Sequence, residues 1–287
     1  MARALLALAL LLASGCGLAA DCGWPAWQRF RQHFITADGR VVDAASGRAL
    51  TTSEGQSYAM LFALAAGDRA TFRRLLRWTE DHLAGGDLTA RLPAWLWGEP
   101  DAGQAGAAPS AGGSRQPAAD AQPRVLDANT AADADLWLAY TLLEAGRLWN
   151  QHGYRALGTL VLQRIAREEV AELPGLGAML LPGRAGFVTP GQWRLNPSYL
   201  PPQVLARLAA EPGPWAGMRH SALAMLVQTA PRGYAPDWVA WQADAGWQPD
   251  PEHGSAGDYD AIRVYLWIGM LADDSPDKPA LLAHFAP

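Results

Sequence analysis

The sequence predicts an all-α fold built from helical hairpins, and three observations carry that expectation. Residues 51–66 form an apolar, helix-favouring run in which Tyr58, Met60, Leu61, Phe62, Leu64 and Ala65 leave almost no polar face. Such a helix must be buried on nearly all sides. The next run, 68–83, is amphipathic, with Phe72, Leu75, Leu76 and Leu83 inward and Arg69, Arg73 and Arg74 outward. This pairing of one buried and one surface helix recurs along the chain, and no segment gives a convincing run of alternating strand residues. Hairpins of this kind arranged in a ring place the starts of their inner helices around one central mouth.

Taken in order, residues 24–35 read as a helix, with Trp24, Trp27, Phe30 and Phe34 at near-helical spacing. Residues 36–52 carry Asp38-Gly39 and Ser46-Gly47 and read as turns. Thr52 or Ser53 can cap the helix that follows, and Gly67 is its stop. Residues 99–122 are Gly, Ala, Pro, Ser and Gln with no apolar period, an insertion within one domain because the helical pattern resumes after it. The hairpin grammar then repeats three times. Residues 131–149, with Asp133 and Asp135, pair with a surface-type helix at 152–170; 197–208 pair with 215–228; and 256–271 pair with 278–285.

Composition narrows the function. Half of the 287 residues are hydrophobic and 18% are charged, so 21–287 reads as one globular domain. A net charge of −5 with no Lys/Arg stripe argues against nucleic acid. No pair among the six His has metal-ligand spacing, so no metal or other cofactor is expected. Ser53 and Ser57 lack a Gly-x-Ser-x-Gly elbow, and no Gly-rich phosphate loop occurs. Residues 1–20 read as an export signal whose apolar run is too short to remain as a membrane span. Cleavage after Ala20 leaves Cys22 without an internal disulfide partner; lipid anchoring through Cys16 is the rival reading. The expected location is therefore periplasmic or secreted, and the expected state monomeric.

Three acids occupy the same slot, at the start of a buried helix. Glu54 lies in Ser53-Glu54-Gly55-Gln56-Ser57-Tyr58, Asp133 in Asp133-Ala134-Asp135, and Asp260 in Tyr259-Asp260-Ala261-Ile262-Arg263-Val264. One such acid is a common helix-start residue, favoured by the helix dipole. Three in one slot point to glycoside hydrolysis, which needs two carboxyls across one bond. Trp95-Leu96-Trp97-Gly98 and the segment from Gln192 through Trp193 to Tyr199 supply aromatics that serve equally as core or as sugar platforms.

These stretches resemble glycoside hydrolase family 8, with two departures: Ala132 stands where the family has Ser or Thr, and the 99–122 insertion lies near the expected groove. The resemblance implies an (α/α)6 barrel and an acidic cleft that hydrolyses β-1,4-glucan with inversion. By the same resemblance Glu54 matches the proton donor and Asp260 the base that activates water. Asp133 matches the acid that the family signature records as nucleophile, a role that in an inverting enzyme becomes holding the distorted sugar and water. Tyr259 and Arg263 match residues flanking the base; apart from the resemblance, the aromatic segments offer Trp97, Trp193 and Tyr199 as substrate contacts. The likeness to the endoglucanase of cellulose-synthase operons makes that export complex a candidate partner. The alternatives are a non-catalytic glucan-binding protein of the same fold, or a sibling acting on mixed-linked glucan, xylan or chitosan. In physical terms Glu54 needs a raised pKa to act as acid, and Arg263, one turn from Asp260, suits a carboxylate base.

Overall fold

The computed structural model describes residues 24–43, 49–100 and 122–285. The expected export signal with Cys16 and Cys22, and nearly all of the 99–122 insertion, lie outside these residues. Helix α1 (Pro25–Phe34) precedes the first hairpin, α2 (Ser53–Ala65) with α3 (Arg69–Leu83). The Thr52 hydroxyl accepts the Gly55 N–H at 3.1 Å and caps α2. Gly67, at φ +67°, turns the chain out of it. The Asp68 carboxylate then caps α3 through Thr71 N–H and pairs with Arg31 at 2.8 Å, which ties α1 to the first hairpin.

The second hairpin is α4 (Ala132–Leu148) with α5 (His152–Glu168). Its helices touch through glycine: a Cβ at Gly146 would sit 2.7 Å from the Arg155 amide nitrogen, so no larger residue fits without moving α5. Helices α6 (Pro202–Leu208) and α7 (Trp215–Gln228) make the third pair, α8 (Tyr259–Gly269) and α9 (Lys278–Phe285) the fourth. Helix α4 packs on α2, on α5 and on α6, and α6 leads on to α8. An aromatic knot closes this arc beneath the helix starts, with Trp137 of α4, Trp267 of α8 and Tyr58 of α2 lying 5.2–6.3 Å apart ring to ring.

Two expectations are corrected. Residues 197–208 are not one helix: a 3-10 turn (Pro197–Tyr199) precedes α6, because Pro201 and Pro202 supply no N–H to continue it. The described residues also form nine strands in three antiparallel sheets. Strands β1 (Thr51–Thr52), β2 (Leu96–Gly98) and β3 (Arg124–Asp127) lead into the starts of α2 and α4. Strands β4 (Val170–Leu173) and β5 (Gly177–Leu180) form a hairpin after α5, and β6 (Val188–Thr189), β7 (Gln192–Leu195), β8 (Val239–Gln242) and β9 (Gly246–Pro249) a four-stranded sheet. At two to four residues each, these strands are too short for alternation to register in sequence. No helix among the described residues is long and apolar enough to cross a membrane.

Candidate active site

Glu54, in the first turn of α2, accepts the Ser53 hydroxyl at 3.3 Å. Burial, and then the nearby charge of Asp133, push its pKa up to about 8. Asp133, in the first turn of α4, is 1% exposed. Its Oδ2 accepts the Tyr58 hydroxyl at 3.2 Å, while its Oδ1 is buried with no partner. Burial raises it to about 6, against the opposing pull of the Arg263 charge. Burial and the same acids hold the Tyr58 and Tyr199 phenols well above their ordinary value, so both stay neutral donors.

Asp260 is held differently. Its Oδ1 accepts from Arg263 Nη2 at 2.8 Å and its Oδ2 from Asn196 Nδ2 at 2.8 Å. The first pair is one helical turn apart on α8. Asn196 arrives from 64 residues away, as the cap of the 3-10 turn, where its own Oδ1 accepts both the amide and the hydroxyl of Ser198 at 3.0 and 2.7 Å. With that oxygen occupied, the amide nitrogen is left for the Asp260 carboxylate. Arg263 also donates to the Ser198 hydroxyl at 2.9 Å and lies 5.6 Å from the centre of the Tyr199 ring. Glu54, Asp133 and Asp260 thus share one electrostatic neighbourhood around Arg263 and Tyr199.

Beside Glu54 a cleft of about 480 Å³ opens between Trp95, Asn129, Phe187, Tyr199, Trp238 and Arg194. Trp238 stacks on Phe187 (centroids 5.9 Å apart, planes 5° apart), and the Arg194 guanidinium covers the Trp238 ring at 5.0 Å. Arg194 is fixed by Asp250 at 2.7 Å, so the platform is held from behind. Asp250, Glu252 and His253 bring ligand-type atoms together there, and the Arg194 cation already supplies their positive charge.

Other residues singled out from sequence sit elsewhere. The Trp97 ring packs against Trp78, His82 and Arg40, at 5.3, 5.8 and 4.4 Å; Trp95, in the bend just before β2, faces the cleft instead. Trp193 pairs across β7 and β8 with Trp241 and packs on the core. Tyr259 is 81% exposed. Sequence reasoning missed Asn196, Ser198, Phe187 and Trp238. Asn196-Pro197-Ser198 is a turn signal that could have been read; the Phe187–Trp238 stack joins two distant loops and has no local signature.

The Glycosyl hydrolases family 8 model matches residues 3–287. The endoglucanase of Escherichia coli strain K12 is 46% identical over 278 residues, which cover 97% of this chain and 71% of that protein. The endo-1,4-D-glucanase crystal structure from Vibrio fischeri ES114 superposes with a TM-score of 0.81 at 49% identity, covering 91% of this chain and 71% of that one. The endo-β-1,4-glucanase CMCax from Acetobacter xylinum gives 0.69 at 28% identity, over 90% and 74% of the two chains. The helical hairpins and their solved counterparts share the (α/α)6-barrel fold. A family match over nearly the whole length, on a chain whose three helix-start acids converge, shows that it belongs to glycoside hydrolase family 8.

Proposed function

We propose that this chain is an inverting endo-β-1,4-glucanase in which Glu54 is the acid and Asp260 the base. The observation that carries the reading is the opposite treatment of the two carboxyls. Glu54 is raised to about 8 and so holds a proton at neutral pH, ready for the leaving glycosidic oxygen. Asp260 meets two N–H donors, an arrangement that suits a carboxylate taking a proton from water. Inversion requires a water between substrate and base, which corresponds to carboxyls about 6.5–9.5 Å apart. The Trp238–Phe187 stack with Tyr199 offers an apolar face for a pyranose ring. The leader-like residues 1–20 support an exported, periplasmic enzyme; a context in cellulose export and a monomeric state complete the proposal.

Reducing-end release from carboxymethylcellulose, mixed-linked β-glucan, xylan and chitosan, with NMR of the first-formed anomer, tests this. The expected result is cleavage of the first two substrates with initial release of the α-anomer. Retention of the β-anomer, or turnover of xylan or chitosan alone, overturns it.

A further inference from the structure

Behind Asp133 lie two more carboxyls that the reaction does not use. Asp135, on α4, is fully buried, and Glu169, which caps the C-terminus of α5, is fully buried as well. Both oxygens of Asp135 and the Oε2 of Glu169 lack any N–H or O–H partner, although the two carboxyls lie within hydrogen-bonding range of each other. Three orphaned oxygens in a fully buried site are costly, since each has lost its contact with water without gaining a hydrogen bond. A single proton resolves two of them. If Asp135 is the neutral acid, its O–H donates to Glu169 Oε2.

The remaining contacts of Glu169 lead to the cleft. Its Oε1 accepts the Thr130 hydroxyl, whose oxygen in turn accepts the Arg184 N–H at 3.0 Å. Thr130 and Ala131 form the cleft wall and run directly into the first turn of α4, which carries Asp133. The neighbouring Gly183 packs so closely that an added Cβ would lie 2.4 Å from the Thr130 carbonyl oxygen.

We infer that Asp135 and Glu169 are a proton-sharing pair of positioning residues that carries one negative charge, holds Thr130 and thereby orients the cleft wall and Asp133. The charged groups around it fit a single charge. Asp135 faces Glu169, Asp133 and Glu54, and Glu169 faces Asp135, Asp133 and Glu168, with no cation among its main influences. Glu168 is occupied by Arg164 at 2.7 Å and approached by Arg184 at 3.9 Å. Burial and these neighbouring acids hold Asp135 well above the ordinary carboxylate range, while burial holds Glu169 at about 7.

The decisive test needs no substrate. The folded chain keeps the shared proton that unfolded Asp135 releases near the ordinary carboxylate value, so its unfolding constant rises with pH, by up to tenfold per pH unit for one proton. Asp135→Asn keeps the shape and an N–H donor but removes that proton. Denaturant unfolding between pH 5 and 6.5 is expected to show a shallower pH slope in Asp135→Asn than in wild type; equal slopes overturn the pair. The activity arm rests on Glu54 as proton donor. There, Asp135→Asn leaves the alkaline limb of the kcat profile in place, because one charge remains on Glu169. The double variant Asp135→Asn/Glu169→Gln removes that charge and moves the limb to lower pH. A downward shift in Asp135→Asn itself means both acids were ionised and overturns the inference. Asp135→Leu is expected to lose kcat that Asp135→Asn regains. Should no glucan be turned over at all, the unfolding slopes still decide the pair on their own.

Discussion

Helices α4 and α8 read alike in sequence, each an acid followed by an apolar run, yet the fold treats them as opposites. Helix α4 is enclosed on every side, and Asp133 and Asp135 sit in its first turns with almost no solvent. Helix α8 buries Ala261, Val264, Trp267 and Ile268 but leaves Tyr259, Ile262, Leu266 and Met270 exposed, the middle two at 60% and 49%. The acids follow suit. Burial pushes Asp133 up to about 6, whereas Asp260 is met by Arg263 and Asn196 at 2.8 Å each. An acid at a helix start therefore acquires its chemistry from what covers it, and the apolar run that announces it does not say which cover it receives.

The largest effect that can break this contrast is on turnover. Glu54→Gln removes the proton for the leaving oxygen, and Asp260→Asn removes the base, each with little change of size. Both are expected to lower kcat on β-glucan by at least ~10²-fold while oligosaccharide binding survives. An aryl glycoside with a good leaving group needs little protonation, so Glu54→Gln should recover on it far more than Asp260→Asn. Equal recovery of the two, or near-normal turnover of β-glucan by either, removes the division of labour and brings the non-catalytic glucan-binding reading forward.

How much of this was legible beforehand follows the same line. The Glu54 helix, its cap and its Gly67 stop were legible because the signals are adjacent in sequence. Arg263 beside Asp260 was legible because three residues make one turn. Asn196 reaches Asp260 across 64 residues, and Trp238 finds Phe187 across two loops, so neither had a local period to betray it. Trp95 and Trp97 were inseparable in sequence because residues two apart share a face of a regular strand; Trp95 lies in the bend before β2, and that bend turns it to the cleft while Trp97 packs on Trp78. The short strands themselves were invisible because two to four residues are too few for alternation to register.

A smaller effect sharpens the contrast through stability. The folded chain holds the Glu54 proton up to about pH 8, whereas the unfolded chain releases it near the ordinary 4.5. A raised carboxyl pKa makes the folded state bind more protons than the unfolded one, so stability falls as pH rises between those values. At pH 7 the cost is on the order of 3 kcal/mol, and at pH 5 it falls to about 1 kcal/mol. Glu54→Gln should accordingly raise the melting temperature at pH 7 and change it little at pH 5. A variant that melts in parallel with wild type across that range would show that burial does not govern the acid.

The smallest effect is expected on the open side of α8. Leu266 and Met270 are 49% and 50% exposed, and their stripe continues through Ile262 to Tyr259. Exposed positions away from caps and buried partners usually change stability by no more than about 0.5 kcal/mol. Leu266→Gln and Met270→Gln should therefore shift the melting temperature by less than about 2 °C in a chain of this length, and leave kcat as it was. Contiguous apolar surface of this kind is also found at interfaces. Size-exclusion chromatography of wild type and variants separates the two possibilities. A single monomeric elution position for all three proteins, with unchanged melting, keeps α8 as the half-open counterpart of α4. A wild-type dimer that the glutamines dissolve, or a melting loss of more than about 4 °C, would mean the stripe is covered in solution. Asp260 would then stand on a helix as enclosed as that of Asp133, and its pairing with Arg263 and Asn196 alone would distinguish the two acids.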